Sequence, residues 1–542
     1  MTSCAQVMAQ TLSDLGVRRV FGVPGGEILD FVEACRAAGL DFVLTRDEAT
    51  AAFMADVTGQ IQRRPSVCLS TLGPGALNLA LGVANAYLER SPVIAVTASV
   101  ARSAHRYATH QNLDLNAVYR PFTKWTVTLD GEDTAATIGH AYDVAARPRM
   151  GPVHVALPSD VARSSDRETG KARDFSPEVR PHPSPPKEHV EALASAIRSA
   201  RRPIVILGFD LDPLGDRDSA LAFVQRLGAP VLVTPKAKGM IPEDHPLFFG
   251  VCAGVAADNL IVEFMGRADL LVGLGFDPVE SNKLWHHTMR LVSLSRYTIA
   301  AGAYRPALEC VGDVRVLLPA VAALDLGSCE WSVEELDSFR RRLGSALRPA
   351  QSPRRGLSPY EVTLRLRQLF PRNAIHVTDV GSVKFVTTQV WRAYEPHTFL
   401  VANGLSSMSY ALPGAMAAKL LHPERAVLCT IGDGGLAMTL SELETCVRLG
   451  IGFVTVVYND SSLSLIKVAQ EYRGHPNCGV DFGTLDFAAA ARACGAWGVR
   501  IETMDDLDSA VREGLHLGIP AVLDVLVDPA EYRVHAAPDR VR

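Results

Sequence analysis

Gly432-Asp433-Gly434-Gly435, followed after one helix-length of chain by Asn459-Asp460, is the stretch that decides the fold of this 542-residue chain. Asp433 and Asp460 stand 27 positions apart. Between them Ala426 to Ile431 is apolar, Thr439-Leu-Ser-Glu442 has the form of a capping box, and Phe453 to Tyr458 is apolar and β-branched. The spacing therefore predicts strand, turn, helix, strand. Such a βαβ unit puts both acids just beyond the carboxyl ends of parallel strands, the edge where open α/β sheets bind ligands. Glycines at 432, 434 and 435 let backbone N–H groups approach phosphate oxygens closely. Mg²⁺ suits this donor set: Asp433, Asp460, the carbonyl of Ser462, two diphosphate oxygens and a water complete an octahedron. The GDG triplet alone reads equally well as an ordinary tight turn; the spaced second acid favours the metal loop.

Composition narrows the classes. The chain is 48% hydrophobic and 21% charged with a net charge of −5, which is ordinary for a globular protein and points to neither nucleic acid nor an anionic membrane. The two long uncharged stretches, Ser66 to Leu88 and Thr398 to Ala418, are broken by Gly, Pro, Asn and Ser, so neither reads as a membrane span. The N-terminus has no basic region followed by an apolar core, and the expected location is cytoplasmic. Ten scattered cysteines form no CxxC pair and no cluster at zinc spacing, which predicts buried free thiols.

Two stretches read as linkers, 163 to 188, with Val179-Arg180-Pro181-His182-Pro183-Ser184-Pro185-Pro186, and 345 to 358, with Ser352-Pro353-Arg354-Arg355-Gly356. They delimit three domains, at 1–165, 188–330 and 358–530. Each alternates short β-branched runs with helical patterns: Arg19 to Gly22, Ser66 to Ser70 and Val93 to Thr97 in the first, Ile204 to Leu207, Val231 to Thr234 and Leu270 to Leu274 in the second. The expected class is α/β, three doubly wound domains with mostly parallel sheets.

Three segments of the first domain join the metal loop as candidates. Gly22-Val23-Pro24-Gly25-Gly26 ends a strand and opens a helix, bringing backbone against a ligand. Thr45-Arg46-Asp47-Glu48-Ala49 sets a carboxylate at a strand end before an alanine-rich helix, where a solvated residue favoured by the macrodipole is the bland alternative. Gly73-Pro74-Gly75-Ala76-Leu77-Asn78 follows the run Val67 to Thr71.

With these segments in this order, followed by Gly151-Pro152-Val153-His154-Val155, Asp379-Val380-Gly381, Gly404-Leu-Ser-Ser-Met408, GDG and Asn459-Asp460, the chain resembles the thiamine-diphosphate enzymes of the acetolactate synthase type over nearly its whole length. The resemblance implies pyrimidine-binding, central and diphosphate-binding domains. It implies a homo-oligomer, a dimer or dimer of dimers, with the active site at the subunit interface. It implies thiamine diphosphate and Mg²⁺, with Asp433, Asp460 and Ser462 on the metal. Glu48 would activate the cofactor by sharing a proton with its N1′. Pro24, Gly25, Asn78, Ser382, Gly432, Gly434 and Gly435 would bind the cofactor, and Met408 would prop it into its bent form, core packing being the alternative for that methionine. Gln111 and His110 would handle substrate, a structural or solvent-facing role being the alternative for the histidine. Gly26, Glu27, Leu465, Ile466 and Ala469 would line the substrate pocket, helix packing being the alternative for the last three.

Several positions depart from the family. His110 stands where acetolactate synthases usually have Phe, making a His-Gln pair similar to that of carboxyethylarginine synthase, a relative that couples a three-carbon unit to an amine. Glu27 replaces a small residue, either to select a cationic acceptor or to favour a helix N-terminus. Ala469 replaces a bulky Trp and enlarges the pocket. Asp460 replaces Asn and adds negative charge beside the diphosphate, which Lys384 would offset unless it is a surface lysine. In the central domain Gly273-Leu-Gly275-Phe-Asp277-Pro278 is a poor dinucleotide fingerprint, and Val292 to Ala300 lacks the acidic IDxD-like stretch of the synthases, which weighs against FAD. The expected function is a carboligase that activates a small, pyruvate-like 2-oxo acid and transfers the fragment to an acceptor. A 2-oxo acid decarboxylase is the alternative, and a flavin-dependent oxidase of the pyruvate-oxidase type is the third reading.

Overall fold

The computed structural model describes residues 2–107, 109–168, 185–252, 254, 256–280, 289–299, 304–349, 353 and 355–535. Within the expected linkers, residues 169–184, 350–352 and 354 lie outside the described residues, as does Ala300. The chain divides into two compact units, one made of Met1–Arg180, Gly404–His422 and Glu444–Leu449, the other of Pro181–Asn403, Pro423–Leu443 and Gly450–Arg542.

The first unit holds one six-stranded sheet: β1 (Arg19–Val23), β2 (Asp41–Leu44), β3 (Ser66–Ser70), β4 (Val93–Ser99), β5 (Thr126–Thr128) and β6 (Val153–Pro158), in the order β2-β1-β3-β4-β6-β5. β3, β4 and β6 are buried along their whole length, which is why they read as continuous apolar runs instead of alternating ones. The chain winds from β1 to β2 on one side and then returns to place β3 on the other, so β1 and β3 flank the topological switch point.

The second unit holds two sheets. The central one contains β7 (Pro203–Leu207), β8 (Val231–Val233), β9 (Phe248–Val251), β10 (Leu270–Leu274), β11 (Leu291–Ser295) and β12 (Leu308–Val311), ordered β12-β11-β10-β7-β8-β9. The last contains β13 (Ile375–Thr378), β14 (Phe399–Val401), β15 (Val427–Gly432), β16 (Val454–Asn459), β17 (Trp497–Ile501) and β18 (Ala521–Leu526), ordered β14-β13-β15-β16-β18-β17. This repeats the first sheet's winding and sets its switch point between β13 and β15. Every strand pair in the three sheets is parallel, which sharpens the expectation of mostly parallel sheets.

Register carries the opening motif to one edge. Gly432 pairs with Tyr458, so Asp433 and Asp460 both leave the sheet at its carboxyl end. The predicted turn and capping box between them are corrected. Gly432 is extended and acts as the N-cap, Asp433 opens a helix directly (Asp433–Thr439), and a second helix follows at Glu442–Arg448. Thr439 therefore closes a helix, and its hydroxyl bonds back to the Gly435 carbonyl at 3.4 Å.

All ten cysteines are free and seven are buried. No helix among the described residues is long and apolar enough to cross a membrane.

Candidate active site

In the last sheet, the lips of the switch point are the turns after β13 and β15. Gly381 (φ +116°) and Gly432 both have nothing within 4 Å of where a Cβ would be, so both lips open into free space. Ser382 begins the helix Ser382–Val390 immediately behind Gly381. Gly435 is glycine for a different reason: any side chain there would overlap the Asp379 carboxylate.

Asp433 ties the two turns together. Its Oδ1 accepts from the Gly434 N–H at 2.6 Å, and its Oδ2 accepts from the N–H groups of Asp460 at 3.0 Å and Ser461 at 2.6 Å. Ser461 is held at φ +60°, a left-handed conformation that costs a non-glycine residue energy and that recurs at functional sites. Asp460 accepts from the Ser462 N–H at 3.0 Å and the Ser464 hydroxyl at 2.7 Å. Burial raises the pKa of both acids, and for Asp460 burial followed by the neighbouring Asp433 charge pushes it up to about 7. Two buried carboxylates that disfavour each other's charge, with acceptor capacity left over, form a donor set that suits a hard cation. Glycines opening into free space beside them suit a diphosphate. The residues present thus fit both Mg²⁺ and the diphosphate of the cofactor.

The same repulsion makes a prediction. In the presence of EDTA, Asp460→Asn keeps a hydrogen-bonding side chain and removes one of the two charges. It is expected to raise the thermal midpoint by roughly 2 °C, as read by differential scanning fluorimetry. A fall would show that the carboxylate contributes more as an acceptor than it costs as a charge.

The first sheet builds a second cluster at its own switch point. Glu48 is the first residue of the helix Glu48–Gln62, capped by Asp47, whose carboxylate accepts from the Thr50 N–H at 3.2 Å. Glu48 is only 9% exposed, and its Oε2 accepts from the Asn78 amide at 3.1 Å. A solvated carboxylate at a helix N-terminus is therefore not what occupies this position. A Cβ on Gly75 would lie 2.9 Å from both Glu48 Oε1 and the Thr71 methyl, so the glycine admits the carboxyl group to the crevice. Thr71 fills the space beside Gly25, and its hydroxyl donates to Glu27 Oε2 at 2.9 Å. Gln111, at φ +55°, lies against Gly73, where a Cβ would come within 2.8 Å of its own Cβ. Pro24, Gly26, Asn78, His110 and Gln111 are solvent-exposed.

Met408 is half-buried in a turn where Ser406 (φ +59°) and Ser409 (φ +70°) are both left-handed, so strained backbone brackets it. Leu465, Ile466 and Ala469 lie on the helix Ser464–Tyr472; Ile466 is 51% exposed, while Leu465 and Ala469 pack on Val468. Lys384 is not a surface lysine: it is buried and donates to the Ala402 carbonyl at 2.9 Å.

The structure thus gathers Glu48, Asn78, Glu27 and Gln111 in one crevice and Asp433, Asp460 and Ser462 in another. Sequence reasoning missed Thr71, Ser464 and Arg355. The last donates to the Asp460 carbonyl at 3.0 Å and opposes the rise in the Asp460 pKa. Its signal was only an arginine in an expected linker.

Three family models match successive parts of the chain. A family model described as "Thiamine pyrophosphate enzyme, N-terminal TPP binding domain" matches residues 2–118, its central-domain counterpart matches 190–321, and the C-terminal TPP binding domain matches 379–525. Among curated proteins, the chain is 29% identical to acetolactate synthase of Bacillus subtilis, with 99% of this chain and 95% of that protein covered. It is 28% identical to the catabolic acetolactate synthase of Raoultella terrigena (97% and 95% covered). It is 29% identical to a probable acetolactate synthase large subunit of Methanocaldococcus jannaschii (97% and 92% covered).

Proposed function

We propose, for a chain that belongs to the thiamine pyrophosphate enzymes, that its thiamine-diphosphate-dependent activity is carboligation: it activates a small 2-oxo acid and transfers the resulting fragment to an acceptor. The observation that carries this reading is the Glu48 carboxyl, withdrawn from solvent at a switch-point crevice and held on one oxygen by Asn78. Acetolactate synthase relatives along the whole chain support ligation over simple decarboxylation.

Thiamine diphosphate, when bound, supplies a thiazolium carbon that acts as nucleophile toward a 2-oxo acid and then as electron sink. The chain's residues do the rest. Glu48 Oε1 has no hydrogen-bond partner among the described residues, which leaves it to share a proton with N1′ while Asn78 fixes Oε2. Asp433, Asp460 and the Ser462 carbonyl hold Mg²⁺. Gly381 and Gly432, whose backbone opens into free space, would receive the phosphate oxygens together with the neighbouring Ser382, Gly434 and Gly435. Pro24, Gly25 and Met408 shape the cofactor's seat. Gln111 and His110 orient the 2-oxo acid, and Gly26, Glu27, Leu465, Ile466 and Ala469 bound the acceptor's space. The two crevices meet across subunits of a homo-oligomer.

Incubation with thiamine diphosphate, Mg²⁺ and a panel of 2-oxo acids, with and without acceptors, tests the reading by CO₂ release and product analysis. Ligated products are expected; free aldehyde as the sole product under every acceptor condition would replace carboligation with decarboxylation.

Glu27 gives the acceptor a polarity. Its carboxylate receives one hydrogen bond from Thr71 and faces no cation among the described residues, so an anionic acceptor entering this crevice meets like charge. Glu27→Gln is expected to raise kcat/KM for a second 2-oxo acid as acceptor, relative to a neutral aldehyde, by about tenfold, equivalent to about 1.4 kcal/mol. An unchanged ratio would place Glu27 away from the acceptor.

A further inference from the structure

We propose that the central sheet of this chain takes no flavin, and that the enzyme works without one. The resemblance to acetolactate synthases implies a flavin there, and the topology agrees with that implication: β9-β8-β7-β10-β11-β12 is the strand order of dinucleotide-binding domains, with its switch point between β7 and β10. In such domains glycines at the switch point let a pyrophosphate reach the backbone. The residues of this chain do not fit that role.

The glycines are present, but the space they free is taken. A Cβ on Gly208, just after β7, would overlap the Gly275 carbonyl, and a Cβ on Gly275, just after β10, would lie 2.6 Å from the Leu211 nitrogen. The two lips are joined by main-chain hydrogen bonds, Gly208 N–H to Leu274 O at 2.8 Å and Asp210 N–H to Gly275 O at 3.0 Å. Phe276 and Leu211 are buried within this junction. By the same measure Gly381 and Gly432, at the switch point of the last sheet, have nothing within 4 Å. One switch point is open and the other is closed by its own backbone.

Charge closes it further. The turn after β11 supplies a cation, Arg296, but it is already engaged. Its backbone N–H donates to Asp210 Oδ2 at 2.9 Å, its Nη1 to the Asp210 carbonyl at 2.7 Å, and its Nη2 to both oxygens of Asp216 at 2.8 and 2.7 Å. The Arg296 side chain is 8% exposed and that of Asp216 0%, so the pair is screened from water. Tyr297 adds a bond from its hydroxyl to Asp277 Oδ2 at 3.0 Å, tying the ends of β11 and β10 together. A pyrophosphate would have to displace these bonds and break the buried Arg296–Asp216 pair. Glu280 accepts from the Lys236 N–H at 2.9 Å, linking the turn after β10 to the one after β8.

The test uses the full-length protein purified with thiamine diphosphate and Mg²⁺. Acid or heat release followed by flavin fluorescence is expected to find no flavin near stoichiometric amounts. FAD added in large excess is expected to leave the thermal midpoint, the intrinsic fluorescence and the rate of product formation unchanged. Product formation is also expected to proceed equally with and without oxygen. Stoichiometric flavin in the purified protein, saturable stabilisation by added FAD, or a rate that depends on FAD would each overturn the proposal. The binding readouts do not depend on which 2-oxo acid is the substrate, so this inference and the carboligase reading fail separately.

Discussion

Glu48→Gln is expected to leave the protein folded with its cofactor bound while turnover falls by roughly 10²–10⁴-fold, the range a positioned proton-transfer group contributes. The glutamine keeps an oxygen that can accept from Asn78, so the 3.1 Å contact between the two helices need not be lost. It places an amide where Oε1 now lies, beside the Thr71 methyl and Gly75. An amide nitrogen donates a proton but does not give it up, so the shared proton at N1′ is lost while the shape of the crevice is kept.

The competing reading is quantitatively separable. An acid in the first turn of a helix stabilises it by about 0.3–1 kcal/mol through the macrodipole. If that were the whole role of Glu48, the variant would show a small drop in thermal midpoint and an unchanged kcat. Cofactor affinity by calorimetry, deuterium exchange at the reacting carbon and steady-state turnover distinguish the two. Full turnover in Glu48→Gln would remove the proposed activation step.

The parts of this architecture that were legible in the sequence are those fixed by local physics. Strands buried on both faces announce themselves as runs rich in β-branched residues with no polar alternation, as in residues 454–458 and 93–97. Glycines that must keep backbone open, such as Gly432, stand out at strand ends. The Thr439 to Glu442 signature misled for an equally physical reason. A Ser/Thr-x-x-Glu spacing is necessary for a capping box, but here the chain is already helical from Asp433, and Thr439 lies at the helix's last residue. What remained hidden depends on distant partners. Arg355 meets Asp460 across 105 residues, and Thr71 meets Glu27 across 44. The strained Ser406 and Ser409 carry no compositional mark, because left-handed backbone at a serine is imposed by the surrounding fold. The order of strands is likewise invisible in the alternation of elements. Only the assembled sheets show that the first and last share one winding while the central sheet follows another.

Removal of Mg²⁺ is expected to weaken thiamine diphosphate binding at least a hundredfold, and Asp433→Asn is expected to reproduce most of that loss with the metal present. In the proposed binding mode the cofactor brings a diphosphate to an edge where two carboxylates are already buried, Asp433 at 4% exposure and Asp460 at 7%. Two like charges about 4 Å apart repel by about 4 kcal/mol at an effective dielectric of 20, so a divalent cation between acids and phosphates converts the dominant repulsion into attraction. Asp433 has a second task, since its two oxygens receive N–H groups from both turns. An asparagine can satisfy those donors on one oxygen only, and it turns an N–H₂ toward the others. Its loss is therefore expected to exceed that of Asp460→Asn, which leaves the hub intact. Calorimetric titration of the cofactor after chelation, with Mg²⁺ restored stepwise, reads the first effect. A Mg²⁺-dependent thermal shift measured without cofactor separates lost metal from a distorted turn. An affinity for thiamine diphosphate unchanged by chelation would show that the glycine-lined backbone alone holds the diphosphate and that the paired acids serve something else.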